Sequence, residues 1–124
     1  MAKRILIVDD EPDIREIARV SLEAIGGHEV IDAASGADAL VAAERERPDA
    51  ILLDVMMPGL DGPSTFARLQ ESEATRHIPV IMLTAKVQAT DRSRLTKLGV
   101  AAVLSKPFDP MSLADEVASV LGWR

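Results

Sequence analysis

Four apolar runs in this chain each end in a side chain suited to phosphoryl chemistry. The set combines carboxylates, a hydroxyl and an ammonium group. Carboxylate oxygens suit Mg²⁺, which also bridges to phosphate oxygens, while hydroxyl and ammonium groups stabilise charge on a transferred phosphoryl group. An aspartate can itself attack phosphorus and form an aspartyl phosphate. In chain order the candidates are Asp9 and Asp10, Asp54, Thr84 and Lys106.

Asp54 is the candidate nucleophile among these residues. The apolar residues Ile51 to Leu53 run into it, and Pro58 and Gly59 break the backbone soon after. This pattern predicts a buried strand that ends in a loop. Carboxylates placed together repel one another, and burial raises their pKa values unless positive charge is supplied. Mg²⁺ and the ammonium group of Lys106 would supply that charge, and the loop after Asp54 can offer a backbone carbonyl to the metal.

Each candidate also has an interpretation without any chemistry. An aspartate at a strand end can bond nearby backbone N–H groups, and the acids Asp9 to Glu11 are favoured at the start of a helix by its dipole. Thr84 fits as an ordinary β-branched strand residue, and Lys106 as a solvated charge. Taken together, these interpretations do not explain why four strand ends carry matching chemistry.

The elements that position these residues alternate regularly along the chain. Such alternation predicts a parallel sheet covered by helices on both faces through right-handed crossovers. Ligands of such sheets gather beyond the carboxyl ends of the strands, so the candidates are expected to meet at one edge. The predicted strands are 4–8, 28–33, 51–54, 79–84 and 101–105; the predicted helices are 12–25, 36–47, 63–71, 85–98, and one from Asp109 or Pro110 to 121.

The patterns also predict which positions are buried. The run HEVIDA is more polar than the other strands, which favours a place near the sheet edge. Phe66 and Leu69 are the inward candidates of the third helix, and Gly99 is the predicted stop of the fourth. For the last helix, the residues expected to face the sheet are Met111, Leu113, Val117, Val120 and Leu121.

The composition excludes several classes of protein. A chain of 124 residues fits one domain, and without cysteines it forms no disulfide framework. The formal charge is −6, with two Phe, one Trp and no Tyr, so the basic charge and stacking surfaces of a nucleic-acid binder are missing. There is no apolar run of about 20 residues and no signal peptide. We therefore predict a cytoplasmic protein that does not contact membrane.

The motifs, taken in order, resemble the receiver domain of two-component response regulators. They are IVDDE at residues 7–11, LLDVMMPGLDG at 52–62, MLTA at 82–85 and SKPF at 105–108. The resemblance covers residues 1–124, and it is to the stand-alone regulators of the chemotaxis type. It implies a doubly wound, flavodoxin-like fold with strand order 2-1-3-4-5.

The resemblance assigns a role to each residue of the metal site. Asp54 would accept phosphate from a phosphohistidine on a sensor histidine kinase or a histidine phosphotransfer protein. Asp10 and Asp54, with the backbone carbonyl of Met56, would bind Mg²⁺, and Asp9 would act mostly through bound water. The domain would catalyse its own phosphorylation and dephosphorylation and otherwise act in signalling.

Further roles concern the phosphoryl group and the surface that reads it out. Thr84 and Lys106 would contact the phosphoryl group, as would the backbone N–H groups of Met56 and Ala85. The Lys106-Pro107 bond would be a cis peptide. Helix four, strand five and helix five would form the surface for an unidentified effector protein, where a homodimer is also possible. Basic residues there are Lys86, Arg92, Arg94 and Lys97, although such a charge run is usually only a solvated face.

Two positions depart from the family pattern. Val103 occupies the switch position where the family often has Tyr or Phe, and valine is small and stiff. Coupling of Thr84 to a rotating aromatic ring is therefore not expected in the usual form. Pro63 stands where an apolar helix former is more familiar. Because the chain ends soon after the fifth helix, it is expected to be a stand-alone regulator or a part of a longer protein.

Three other classes fit the motifs less well. A metal-dependent phosphatase of the haloacid dehalogenase type would need a second aspartate two residues after the nucleophile, where Met56 stands. A nucleotide or flavin binder would need a glycine-rich loop after the first strand. The complete acidic set argues against an interaction module that is never phosphorylated.

Overall fold

A computed structural model describes residues 2–85 and 89–123. Its centre is a five-stranded parallel sheet with the order β2-β1-β3-β4-β5, so the predicted fold class and strand order are confirmed. Among the described residues, no helix is long and apolar enough to cross a membrane. The strands are β1 (Arg4–Val8), β2 (Glu29–Ala33), β3 (Ala50–Asp54), β4 (Val80–Thr84) and β5 (Ala102–Ser105).

The central strands are the apolar runs of the sequence. Every residue of β3 and β4 is buried, as expected for strands with helices on both faces. The polar strand β2 lies at the sheet edge, as predicted. In the pairing, Val8 lies beside Leu53, and Asp54 beside Leu83. The strands therefore end at the same edge.

The helices divide the apolar interior into two layers. One core cluster joins the sheet to α2, α3 and α4, and it contains Phe66 and Leu69 as predicted. The other joins the opposite face to α1 and α5 through Ala18, Leu113 and Val117, and Leu22 packs with them from the helical turn that follows α1. The helices are α1 (Pro12–Val20), α2 (Gly36–Glu46), α3 (Gly62–Glu71), α4 (Ala89–Lys97) and α5 (Leu113–Leu121).

The start of α5 differs from the prediction. The helix begins at Leu113, because Asp109 closes a turn before it: its carboxylate accepts the N–H of Met111 at 2.9 Å, and its carbonyl accepts that of Leu113 at 3.0 Å. The turn leaves Met111 71% exposed, so its predicted contact with the sheet is wrong. Val120, also predicted to face the sheet, is 39% exposed near the end of the helix.

The predicted first helix, 12–25, matches α1 together with the helical turn that follows it. The first helix continues after Val20 as a π-helical turn, Ser21–Ile25, which shifts the helical spacing and leaves Ile25 exposed. This exposure fits the wider π turn. Within the described residues the fourth helix covers Ala89–Lys97 and Ala85 lies in a bend, while residues 86–88 of the prediction lie outside the described part of the chain.

Two glycines allow the backbone near the end of β3 to pack closely. A Cβ on Gly62 would lie 2.5 Å from the carbonyl oxygen of Asp54. A Cβ on Gly36 would overlap Oγ1 of Thr65 and lie 2.8 Å from the carbonyl oxygen of Leu60. The start of α2 therefore supports the loop between β3 and α3 only because it lacks a side chain there.

We expect Gly36→Ala to destabilise the protein by about 1–3 kcal/mol, because the added methyl group has no space, even though alanine favours helices more than glycine. Removing the closest atom with Thr65→Ala should reduce this cost by about 1 kcal/mol. Urea unfolding of the single and double variants measures both quantities.

Gly122→Ala is the matched control. Gly122 has a φ of 70° and open space around its missing Cβ, so its substitution should cost about 1 kcal/mol from backbone strain. That cost should be the same with and without Thr65→Ala. A Gly36→Ala variant as stable as the wild type would contradict the steric explanation.

Candidate metal and phosphoryl site

The aligned strand ends bring three carboxylates together. One oxygen each from Asp9, Asp10 and Asp54 lies within 4.8 Å of the others. Asp9 is fully buried and Asp54 is 3% exposed, whereas Asp10 is open to solvent. These are hard oxygen donors with one accessible side, and this donor set fits a small divalent cation that keeps several waters, such as Mg²⁺.

Lys106 supplies the positive charge of the cluster. Its Nζ lies 2.9 Å from Oδ2 of Asp9 and 3.3 Å from Oδ1 of Asp54. The end of β5 places it there, since the backbone N–H of Lys106 donates to the carbonyl of Thr84 at 2.8 Å. The following Lys106-Pro107 bond is cis. The lysine thus joins two strand ends that would otherwise repel each other.

Glu11 is a fourth carboxylate near this lysine. Its Oε1 lies 3.5 Å from Nζ of Lys106, and its backbone N–H donates to Oδ1 of Asp9 at 2.9 Å. From the sequence, Glu11 was expected only as the last residue of the IVDDE motif and as an acid at a helix start. Its place directly after Asp9 and Asp10 was the signal available for a wider role.

Burial and charge shift the pKa values of the central pair. Burial, followed by the charge of Asp9, raises the pKa of Asp54 to about 6, although Lys106 and the backbone N–H of Met56 act in the opposite direction. Burial alone would lower the pKa of Lys106, but its hydrogen bond to Asp9 and the charge of Asp54 together raise it. The lysine is therefore charged, while the Asp54 carboxylate needs further positive charge to be stable when ionised.

The loop after Asp54 is held by backbone contacts. The N–H of Val55 donates to Leu83 at 3.0 Å, and the N–H of Gly62 donates back to Val55 at 2.9 Å. The side chain of Met56 is 65% exposed, and its backbone N–H bonds the Asp54 carboxylate. Asp61 then caps α3 by accepting the N–H of Ser64 at 2.8 Å, so Pro63 is accommodated in the first turn.

Thr84 and Val103 lie on the side of the site that faces α4. Thr84 is buried and borders a cavity of about 280 Å³ that Met56, Pro63 and Leu95 also line. Val103 is 4% exposed within the apolar core. Its carbonyl accepts a hydrogen bond from Nη1 of Arg92 at 2.8 Å. A side chain of α4 is thus bonded to the main chain of β5 at this position.

Asp54 should make the metal-free protein less stable as the pH rises. Its pKa moves from 3.8 to about 6 on folding, so ionising it costs folding free energy; the cost is absent below about pH 4 and complete above about pH 6. We expect Asp54→Asn to stabilise the protein by about 1–3 kcal/mol at pH 8, and by less at pH 5.

Urea unfolding in the presence of a chelator measures this difference. Glu44→Gln, which removes an exposed carboxylate on α2, should change the stability little at either pH. Equal stabilisation by Asp54→Asn at both pH values would show that the burial of charge is not its cause.

The proteins to which this chain is similar in sequence and in structure belong to one family. The model of the response regulator receiver domain matches residues 5–118. The alkaline phosphatase synthesis transcriptional regulatory protein PhoP of Bacillus subtilis is 40% identical over 121 residues, which are 98% of this chain and 49% of that protein. The chain therefore spans about half the length of such curated relatives.

Solved structures share the whole fold. The chemotaxis protein CheY4 of Vibrio cholerae is 30% identical, with a TM-score of 0.88 over 97% of this chain and 99% of that one. The receiver domain of a sensor histidine kinase from Pseudomonas aeruginosa is 34% identical, with a TM-score of 0.86 over 98% of this chain and 99% of that one. That structure is described with a magnesium ion coordinated in its active-site cleft.

Proposed function

Because the chain belongs to the response regulator receiver domain family, as its motifs predicted, we propose that Asp54 is the residue that accepts the phosphoryl group in two-component signalling. The observation that carries this assignment is a buried aspartate whose Oδ1 lies 3.3 Å from the ammonium group of Lys106. Two further carboxylates lie beside it. We propose that the phosphoryl-accepting receiver domain comprises residues 1–124.

In the proposed transfer, an oxygen of Asp54 forms a bond to phosphorus. The bond from phosphorus to a ring nitrogen of the donor phosphohistidine breaks, and the imidazole takes up a proton from solvent. The donor would be a sensor histidine kinase or a histidine phosphotransfer protein. A cytoplasmic location, where such donors present their phosphohistidine, stays a prediction from the sequence.

The acidic residues would hold Mg²⁺ during this reaction. Asp10 and Asp54 would be its direct carboxylate ligands, with the main-chain carbonyl of Met56, and Asp9 would act mainly through water. When bound, Mg²⁺ neutralises the carboxylates and the charge on the transferred oxygens. This role is supported by the three carboxylates that lie within 4.8 Å of one another.

The remaining charge on the phosphoryl group would be met by the protein. The ammonium group of Lys106 and the hydroxyl of Thr84 would donate to its oxygens, together with the backbone N–H groups of Met56 and Ala85. Lys106 is available for this because its partners before the reaction include Asp54 itself. Phosphorylation of Asp54 would form an acyl phosphate, which replaces the carboxylate charge by the charged acceptor oxygens of the phosphoryl group.

The readout would be a change at the face formed by α4, β5 and α5. Movement of Thr84 and Lys106 toward the phosphoryl group would shift the ends of β4 and β5. Because Val103 has no ring to rotate, the bond from Arg92 to its carbonyl is the proposed link to α4. An effector protein, or a second copy of the chain, would bind this face. Of the predicted basic stripe, Lys86 lies outside the described residues.

Incubation with Mg²⁺ and phosphoramidate should add one phosphoryl group to the wild-type chain. Intact mass spectrometry detects the adduct. Asp54→Asn should abolish it, because the amide is not a nucleophile for phosphorus, and chelation of Mg²⁺ should prevent its formation. Asp115→Asn, which changes an exposed carboxylate on α5, should leave it unchanged.

A phosphoryl group that persists in Asp54→Asn would identify another acceptor and overturn the assignment. Absence of an adduct in folded wild-type protein that binds Mg²⁺ would instead indicate a receiver that acts without phosphorylation.

A further inference from the structure

Two arginines on α1 share a carboxylate partner but bond different main-chain carbonyls, and Arg19 also pairs with Glu23 at 3.3 Å. Arg15 and Arg19 are one turn apart, and both reach Oδ2 of Asp32, at 3.7 Å and 3.1 Å respectively. Each also donates Nη1 to a main-chain carbonyl. Arg15 bonds the carbonyl of Asp9 at 2.8 Å, whereas Arg19 bonds that of Val30 at 3.0 Å. Only Arg15 therefore touches the acidic loop of the metal site.

The contact with Arg15 completes a set of four that hold Asp9. Its N–H donates to Ala33 at 3.2 Å, and its carboxylate accepts from the N–H of Glu11 and from Lys106, each at 2.9 Å. Its carbonyl is fixed by Arg15. This carbonyl belongs to the peptide group that joins Asp9 to Asp10.

The orientation of this peptide matters most for Asp10. Within residues 2–85 and 89–123, no hydrogen bond or ion pair holds the Asp10 carboxylate, which is exposed. Its position in the cluster therefore depends on its backbone. The hydrogen bond from Arg15 fixes the peptide immediately before Asp10, so it restricts where that carboxylate can lie.

We propose that Arg15 is a positioning residue of the metal site, which sets the backbone of Asp10 so that its carboxylate can join those of Asp9 and Asp54 around a divalent cation. The inference rests on the proposed function for the identity of the cation. It adds a contact from outside the acidic cluster, made to a carbonyl rather than to a carboxylate. Contacts of this kind, which orient metal ligands, change metal affinity by about 10–100-fold when removed.

Charge and position predict opposite effects for this residue. The guanidinium group is a cation near a cation site, so its charge alone opposes metal binding. If only that charge mattered, Arg15→Gln would strengthen metal binding. If Arg15 positions Asp10, the same substitution weakens binding, because the ordered backbone is lost.

The experiment compares Arg15→Gln with Arg19→Gln, both of which remove one positive charge and one partner of Asp32. Mn²⁺ binding, followed by electron paramagnetic resonance without any phosphate donor, gives the dissociation constant directly. We expect an increase of about tenfold for Arg15→Gln. Arg19→Gln should leave the constant unchanged or lower it slightly. Thermal unfolding of the metal-free variants checks that both are folded.

A second readout separates positioning from a general loss of structure. With phosphoramidate as donor, Arg15→Gln should need about tenfold more Mg²⁺ for half-maximal phosphorylation, yet reach the wild-type rate at saturation. Equal changes in Mn²⁺ binding for both arginines, or tighter binding in Arg15→Gln, would overturn the inference. Weaker Mn²⁺ binding in Arg15→Gln, combined with a wild-type chain that never becomes phosphorylated, would refute the proposed function and leave the positioning role standing.

Discussion

The repulsion between carboxylates at one edge of the sheet is the constraint on which the site depends. Asp9 and Asp54 are both buried, and Lys106 is the cation that joins them. Despite the lysine, burial and then the charge of Asp9 raise the pKa of Asp54 to about 6. A divalent cation bound there would supply positive charge that favours the ionised carboxylate. Carboxylates with such a shifted pKa are typical of functional sites, which supports the proposed role of Asp54 as the phosphoryl acceptor.

The rest of the fold keeps these charges at fixed positions. The central strands end in register because each is buried on both faces by apolar side chains, which specify the pairing more strongly than polar residues would. Glycines at positions 36 and 62 then let α2 and α3 approach the loop that follows Asp54. Stability and function are linked at these contacts, because the helices that bury the core also hold the loop.

Much of this arrangement followed from the sequence. Continuous apolar runs predicted the strands, and the residue after each run predicted which groups meet at the edge. The start of α5 was predicted too early because the apolar Met111 fits the helical spacing, while the turn made by Asp109 depends on a local hydrogen bond. The role of Arg15 was missed for a different reason, since this residue contacts the backbone carbonyl of Asp9. Every residue has such a carbonyl, so the residue types in the sequence do not indicate which one a distant side chain will bond.

The hydrogen bond between the N–H of Lys106 and the carbonyl of Thr84 has a mechanical consequence. The two side chains proposed to grip the phosphoryl group lie on neighbouring strand ends that this bond ties together. A shift of either strand end would be transmitted through this bond to the other. We therefore expect the hydroxyl of Thr84 and the ammonium group of Lys106 to contact the phosphoryl group together. States in which only one of them is in contact should then be sparsely populated, so that the conformational response is closer to all-or-none than to graded.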